Sequence, residues 1–165
     1  MTMFVIVLIF SKRFIQRLNT EGDEISLMFT APDANVLIVD DIKTNLKVVY
    51  GFLESYEMNV DMCLSGADAI EMVKSEQYDI VFMDYRMPDM DGIEATKKIR
   101  EIEDDSQIYK NLPIIALTAD AVESKRDMFI ENGLDDFISK PIDADKLNVI
   151  LEKWIPKHKQ LAADA

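Results

Sequence analysis

From Asn35 onward the chain alternates between short, continuous apolar runs and longer stretches whose apolar residues return every three or four positions. The short runs have the form of buried strands, and the longer stretches that of amphipathic helices. Five such pairs follow one another, which predicts a parallel sheet covered by helices on both faces. Val36 to Val39 is the first strand, followed by a helix whose apolar face carries Ile42, Leu46, Val49, Leu53 and Tyr56. Val60 to Leu64 is a second, less apolar strand. Ser65, with Asp68 three positions on, caps a helix that buries Ala69, Ile70 and Val73. Ile80 to Met83 is the most apolar run and so the central strand.

After a polar loop with Pro88 and Gly92, Asp91 and Glu94 have the spacing that caps a helix bearing Ile93, Ile99 and Ile102. An acidic connection from Glu101 to Asn111 leads to the fourth strand, Ile114 to Leu117. Asp120 and Glu123 repeat the capping spacing, yet the helix they open is ragged: Val122, Met128, Phe129 and Ile130. Weak burial marks this helix as the candidate mobile element. Asn132 and Gly133 end it, and a short strand, Phe137 to Ser139, precedes a last helix that buries Leu147, Ile150, Leu151 and Trp154 and stops at Pro156. Right-handed crossovers then give a doubly wound α/β fold, with ligands expected outside the carboxyl ends of the strands.

Residues 1 to 33 read as an N-terminal extension or linker, 34 to 157 as the domain, and 158 to 165 as a polar tail. Met3 to Phe10 is apolar but far short of the roughly 20 residues a spanning helix needs. Basic residues Lys12, Arg13 and Arg17 follow it, the reverse of a secretory signal. Apolar first and basic second also resembles the cytoplasmic exit end of a transmembrane helix, so a truncated span stays open. The favoured reading is an element that packs on the domain or on a second copy, which leaves a homodimer open, with no direct membrane contact expected.

Composition narrows the function. Asp and Glu number 31 against 18 Lys and Arg, a formal net charge of −13, which repels phosphate backbones and argues against nucleic acid as a partner. The one cysteine, Cys63, rules out an intrachain disulfide and fits a reducing, cytoplasmic setting. The one histidine, His158, offers no zinc cluster.

The chemistry sits where the strands stop. Asp40 and Asp41 follow the first strand, Asp84 the third, Thr118 the fourth and Lys140 the fifth. Three carboxylates at one rim need a compensating cation, and a hard oxygen-bound ion, Mg²⁺, suits them. Helix capping alone would need one of Asp40 and Asp41. A carboxylate beside Mg²⁺ can attack phosphorus to form an acyl phosphate. Asp84, on the central strand, is the expected acceptor, with the Thr118 hydroxyl and the Lys140 ammonium for the phosphoryl oxygens.

Four motifs carry a resemblance. LIVDD at Leu37 to Asp41, MDYRMPDMDG at Met83 to Gly92, IIALTADA at Ile114 to Ala121 and FISKPI at Phe137 to Ile142 resemble, in order, the receiver domain of two-component response regulators. The resemblance implies strand order 2-1-3-4-5 and phosphoryl transfer from a sensor histidine kinase or histidine phosphotransfer protein onto Asp84. It implies Mg²⁺ held by Asp41, Asp84 and the backbone carbonyl of Arg86, with Asp40 acting through water, and a cis bond at Lys140–Pro141. It further implies a switch in which Thr118 and Phe137 move with the fourth helix, fifth strand and fifth helix. Arg86 and Asp120, flanking acceptor and threonine, are expected to pair across the site and tune phosphoryl lifetime.

Such a domain is a signalling module rather than an enzyme, either a stand-alone regulator or the receiver part of a hybrid histidine kinase. A phosphatase of the aspartate-nucleophile class competes on fold and metal. It requires a second Asp two positions after the first-strand nucleophile, where this chain has Ile42 after Asp40. A receiver-like binding module without phosphorylation is disfavoured because every required side chain is present.

Overall fold

The computed structural model describes residues 29–119 and 125–162. Its centre is a five-stranded parallel sheet: β2 (Asn35–Val39), β3 (Asn59–Cys63), β4 (Ile80–Asp84), β5 (Ile114–Thr118) and β6 (Asp136–Ser139), in spatial order β3-β2-β4-β5-β6. Counting these five strands alone, the order is 2-1-3-4-5. Helices α1 (Lys43–Glu54), α2 (Gly66–Ser75), α3 (Gly92–Arg100), α4 (Ile108–Asn111), α5 (Arg126–Glu131) and α6 (Ala144–Trp154) connect the strands.

The period of two along each strand divides the core. Val36, Ile38, Ile80, Phe82, Ile115 and Leu117 face Leu46, Leu53, Leu147 and Leu151 of α1 and α6. Leu37, Val39, Val81, Met83, Ile114 and Ala116 face Ala69, Val73, Ala95, Ile99 and Phe129 of α2, α3 and α5. Both faces of β4 are buried throughout, as expected for a central parallel strand. The β3 edge is largely open, and Leu64, just beyond it, is exposed. Cys63 at its end is buried, and burial pushes its thiol up to about 11.

Capping follows the sequence at two sites. Ser65 accepts from the Asp68 amide, and Asp91 accepts from the Glu94 amide at 2.8 Å. Asp143, which the sequence did not single out, caps α6 by accepting from the amides of Asp145 and Lys146.

Several expectations need correction. Ile42 does not join the buried face of α1; it is 52% exposed, because it stands one residue before the helix and its amide bonds back to Asp40. The acidic connection after α3 contains a short helix, α4. On α5 only Phe129 is fully buried, in keeping with the weak burial its ragged pattern predicts. Trp154 is half-buried, its indole donating to Asp136 at 3.3 Å.

Nor does packing stop at residues 34 and 157. A two-residue strand β1 (Phe29–Thr30) pairs antiparallel with β7 (Leu161–Ala162). Phe29 is buried against the Tyr56 ring, 5.4 Å between centroids, and Lys159 pairs with Asp79 at 2.8 Å. Strands of two residues leave no alternation for a sequence pattern to register. The clasp lies at the amino end of the sheet, where Asp79 also accepts from the Asn35 amide. The run Met3 to Phe10, the helix opening at Asp120 and Glu123, and residues 163–165 lie outside the described residues.

Candidate functional site

Parallel register sets the site. Val39 is level with Met83, Asp84 with Leu117, and Thr118 with Ser139. Backbone bonding carries each rim one residue further: Asp40 N to Cys63 O, Tyr85 N to Leu117 O, and Lys140 N to Thr118 O at 2.7 Å. Asp40, Asp84, Thr118 and Lys140 thereby end on one edge of the sheet, the carboxyl edge.

The loop after Asp84 folds back tightly over its own strand. Asp89 adopts φ 64°, and the Gly92 amide donates to Tyr85 O at 3.0 Å. A Cβ at position 92 would lie 2.4 Å from the Asp84 carbonyl oxygen, a distance no side chain tolerates. Only glycine lets α3 begin so close to the end of β4.

At the rim, Asp40 is fully buried and Asp84 is 6% exposed, while Asp41 is partly open to solvent. Each offers one carboxylate oxygen within 4.8 Å of the others. The Lys140 ammonium bridges two of them, at 2.5 Å from Asp40 Oδ2 and 2.8 Å from Asp84 Oδ1. The Lys140–Pro141 bond is cis.

Burial raises the Asp84 carboxyl above its ordinary range. Lys140 pulls it back, and the neighbouring Asp40 and Asp41 charges push it up again. Burial alone would lower the Lys140 ammonium, but its bonds to Asp40 and Asp84 outweigh that and hold it above the ordinary lysine value. One ammonium against three carboxylates leaves the rim short of positive charge. Three carboxylate oxygens gathered within 4.8 Å of one another can converge on one small hard cation such as Mg²⁺. The all-oxygen donor set and the excess negative charge fit such an ion.

The remaining expected residues fall as follows. Thr118 is buried at the end of β5, beside Lys140. Phe137, on β6, is half-buried with its ring 6.0 Å from Phe129, which meets Tyr85 edge-on at 5.3 Å. Arg86 lies exposed on the loop two residues past Asp84. Asp120, and with it the expected Arg86–Asp120 pair, lies outside the described residues. Sequence reasoning passed over Asn45, whose side-chain amide donates to both oxygens of Asp40 at 3.1 Å. The available signal was its place in the first turn of α1, where a side chain can reach back to the preceding strand end.

The model of the response regulator receiver domain matches residues 36–152. The chain belongs to the response regulator receiver domain family. It is 36% identical over 121 residues to the signal transduction histidine-protein kinase BarA of Escherichia coli K12, a match covering 73% of this chain and 13% of that protein. The chain thus spans about one-eighth of BarA's length.

Among solved structures it resembles the receiver domain of the sensor histidine kinase PA1611 from Pseudomonas aeruginosa PAO1. There the identity is 34% and the TM-score 0.66, covering 74% of this chain and 97% of that one. That receiver domain holds a magnesium ion coordinated in its active site cleft. A Saccharomyces cerevisiae receiver domain, crystallised with a histidine phosphotransfer signalling protein, is 27% identical with a TM-score of 0.70, covering 79% of this chain and 94% of that one. Both likenesses match this receiver domain's five-stranded parallel sheet and its covering helices. Among the described residues no helix is long and apolar enough to cross a membrane.

Proposed function

We propose that this receiver domain accepts a phosphoryl group on Asp84 from the phosphohistidine of a sensor histidine kinase or histidine phosphotransfer protein. The observation that carries the reading is the Lys140 ammonium bridging Asp40 and Asp84 inside a three-carboxylate rim, with Thr118 beside it.

Lys140 engages Oδ1 of Asp84, leaving Oδ2 as the nucleophile. As Oδ2 bonds to phosphorus, the phosphorus–nitrogen bond breaks and its electron pair leaves with the imidazole, giving an acyl phosphate. Asp40, Asp41, Asp84 and the carbonyl oxygen of Arg86 would hold Mg²⁺, with Asp40 acting through water, and the ion would neutralise the charge that gathers on the phosphoryl oxygens. Lys140 transfers its ammonium from the two carboxylates to one phosphoryl oxygen, and the Thr118 hydroxyl donates to another.

The same movement is the switch. Drawing Thr118 toward the phosphoryl group opens room behind it, and Phe137 turns in as the α5, β6 and α6 face rearranges. Burial on α5 is sparse, which makes its displacement inexpensive. Arg86 and Asp120 pair over the site and slow the approach of hydrolytic water. A match confined to 13% of BarA supports reading this domain as the receiver part of a longer hybrid histidine kinase rather than a stand-alone regulator.

The test is incubation with Mg²⁺ and acetyl phosphate, followed by intact mass. One added phosphate is expected, dependent on the ion and absent in Asp84→Ala. An adduct that persists in Asp84→Ala overturns the assignment, and turnover of simple phosphate esters would point to a phosphatase instead.

A further inference from the structure

The amide of Asn45 occupies an unusual place. Its Nδ2 lies 3.1 Å from Oδ1 and 3.1 Å from Oδ2 of Asp40, so it sits in the fork of that carboxylate rather than on one arm. Asp40 is fully buried, and its other partners are the Ile42 amide on Oδ1 at 2.9 Å and the Lys140 ammonium on Oδ2. A symmetric donor in the fork fixes the plane of the carboxylate, because turning about the Cβ–Cγ bond would break both contacts at once. It also fills the position from which one ion could be chelated by both oxygens.

We infer that Asn45 is a positioning residue for the Mg²⁺ site, locking Asp40 so that it serves the ion from one fixed direction and not as a two-oxygen ligand. The inference rests on the Mg²⁺ reading above. Asp40 is an expensive residue to bury, and its carboxylate stays oriented only while its lone pairs are satisfied. Lys140 cannot do this alone, since in the proposed reaction it leaves for the phosphoryl group. At that point the Ile42 amide and Asn45 are the donors that remain on Asp40. Groups that orient a metal-binding side chain commonly change metal affinity by about 10 to 100-fold when removed.

The experiment uses the whole 165-residue chain and reads ion affinity rather than phosphorylation. Free Mn²⁺ is followed by its electron paramagnetic resonance signal, with Mg²⁺ added as competitor. Asn45→Leu, which keeps the bulk and removes the donor, is expected to bind Mg²⁺ about tenfold more weakly at a temperature well below its melting transition. Asn45→Ala, which favours the helix more than Asn does, serves as the second variant and is expected to shift in the same direction.

A purely structural Asn45 would lower the ion-free melting temperature and leave the affinity alone, and that result overturns the inference. Equal Mg²⁺ affinity in wild type and both variants, with binding lost in Asp41→Ala, likewise rejects Asn45 while sparing the Mg²⁺ reading. No binding by the wild-type protein would sink both.

Discussion

At the scale of single residues, Asp84 carries a cost that the proposed acceptor role explains. Burial raises its carboxyl pKa, so the ionised form is held against its preference, with Asp40 and Asp41 adding repulsion. The contribution of such a group to folding is fully present below its ordinary value of 3.8 and is lost as pH rises through its raised folded value. At neutral pH the ionised Asp84 therefore works against the fold. Asp84→Asn keeps the shape and an acceptor for Lys140 while removing the charge. It is expected to raise the melting temperature by a few degrees, roughly 1 kcal/mol, while abolishing phosphate incorporation. The advantage should shrink as pH falls through the raised value of Asp84, where the wild-type carboxylate takes up a proton. A melting series against pH for the two proteins checks both the sign and the trend.

Asp84 stood out in the sequence because an apolar run ending in a lone carboxylate has few purely structural uses, and three more strand ends reach the same rim. Asn45 was not legible, because an asparagine in the first turn of a helix is ordinary. Only the fold reveals that it reaches back to Asp40. The Lys140 bridge was half visible: the sequence placed the lysine at the rim, but its pairing with two carboxylates is a property of distance.

At the scale of elements, the strands and most helices followed from periodicity, while their mutual fixing did not. Arg100 shows the difference. It ends α3, where sequence alone suggests a solvated basic residue complementing the helix carboxyl terminus. In the fold it is mostly buried and makes bonds in three directions. Nη1 donates to the carbonyls of Tyr109 and Leu112, Nε and Nη2 to that of Gly133, and Nη2 to Asp135 at 2.8 Å. Asp135 in turn accepts from the Ile114 amide.

One guanidinium thus ties α3 to the start of β5 and to the turn between α5 and β6, fixing the register that sets Thr118 beside Lys140. Removing it strands three carbonyls and unpairs Asp135. Arg100→Leu is expected to cost about 3 kcal/mol, read as a lower urea midpoint, with faster amide exchange around residues 108–114 and 132–135. Arg100→Lys should recover little of this, because a point charge cannot reproduce the fork. Full recovery by lysine would show that charge alone matters there.

At the scale of the whole molecule, the chemistry and the chain ends occupy opposite edges of the sheet. Strand β2 runs from Asn35 beside the clasp to Val39 beside the rim, about 13 Å at 3.3 Å per residue. Perturbations at the two edges should then add independently, since side chains separated by more than about 10 Å with no shared partner rarely couple. A chain cut to residues 34–157 loses the buried Phe29, the β1–β7 pairing and the Lys159–Asp79 pair. It retains Asp40, Asp41, Asp84, Thr118 and Lys140 with every hydrogen bond the rim uses. Loss of one buried phenylalanine alone costs about 3 kcal/mol, so the cut chain should melt several degrees lower. Its Mg²⁺-dependent phosphate incorporation at a temperature well below melting should nevertheless match that of the full chain. An unchanged melting temperature would mean that the clasp contributes nothing to stability. A selective loss of phosphate incorporation by a folded cut chain would mean that the two edges communicate through β2.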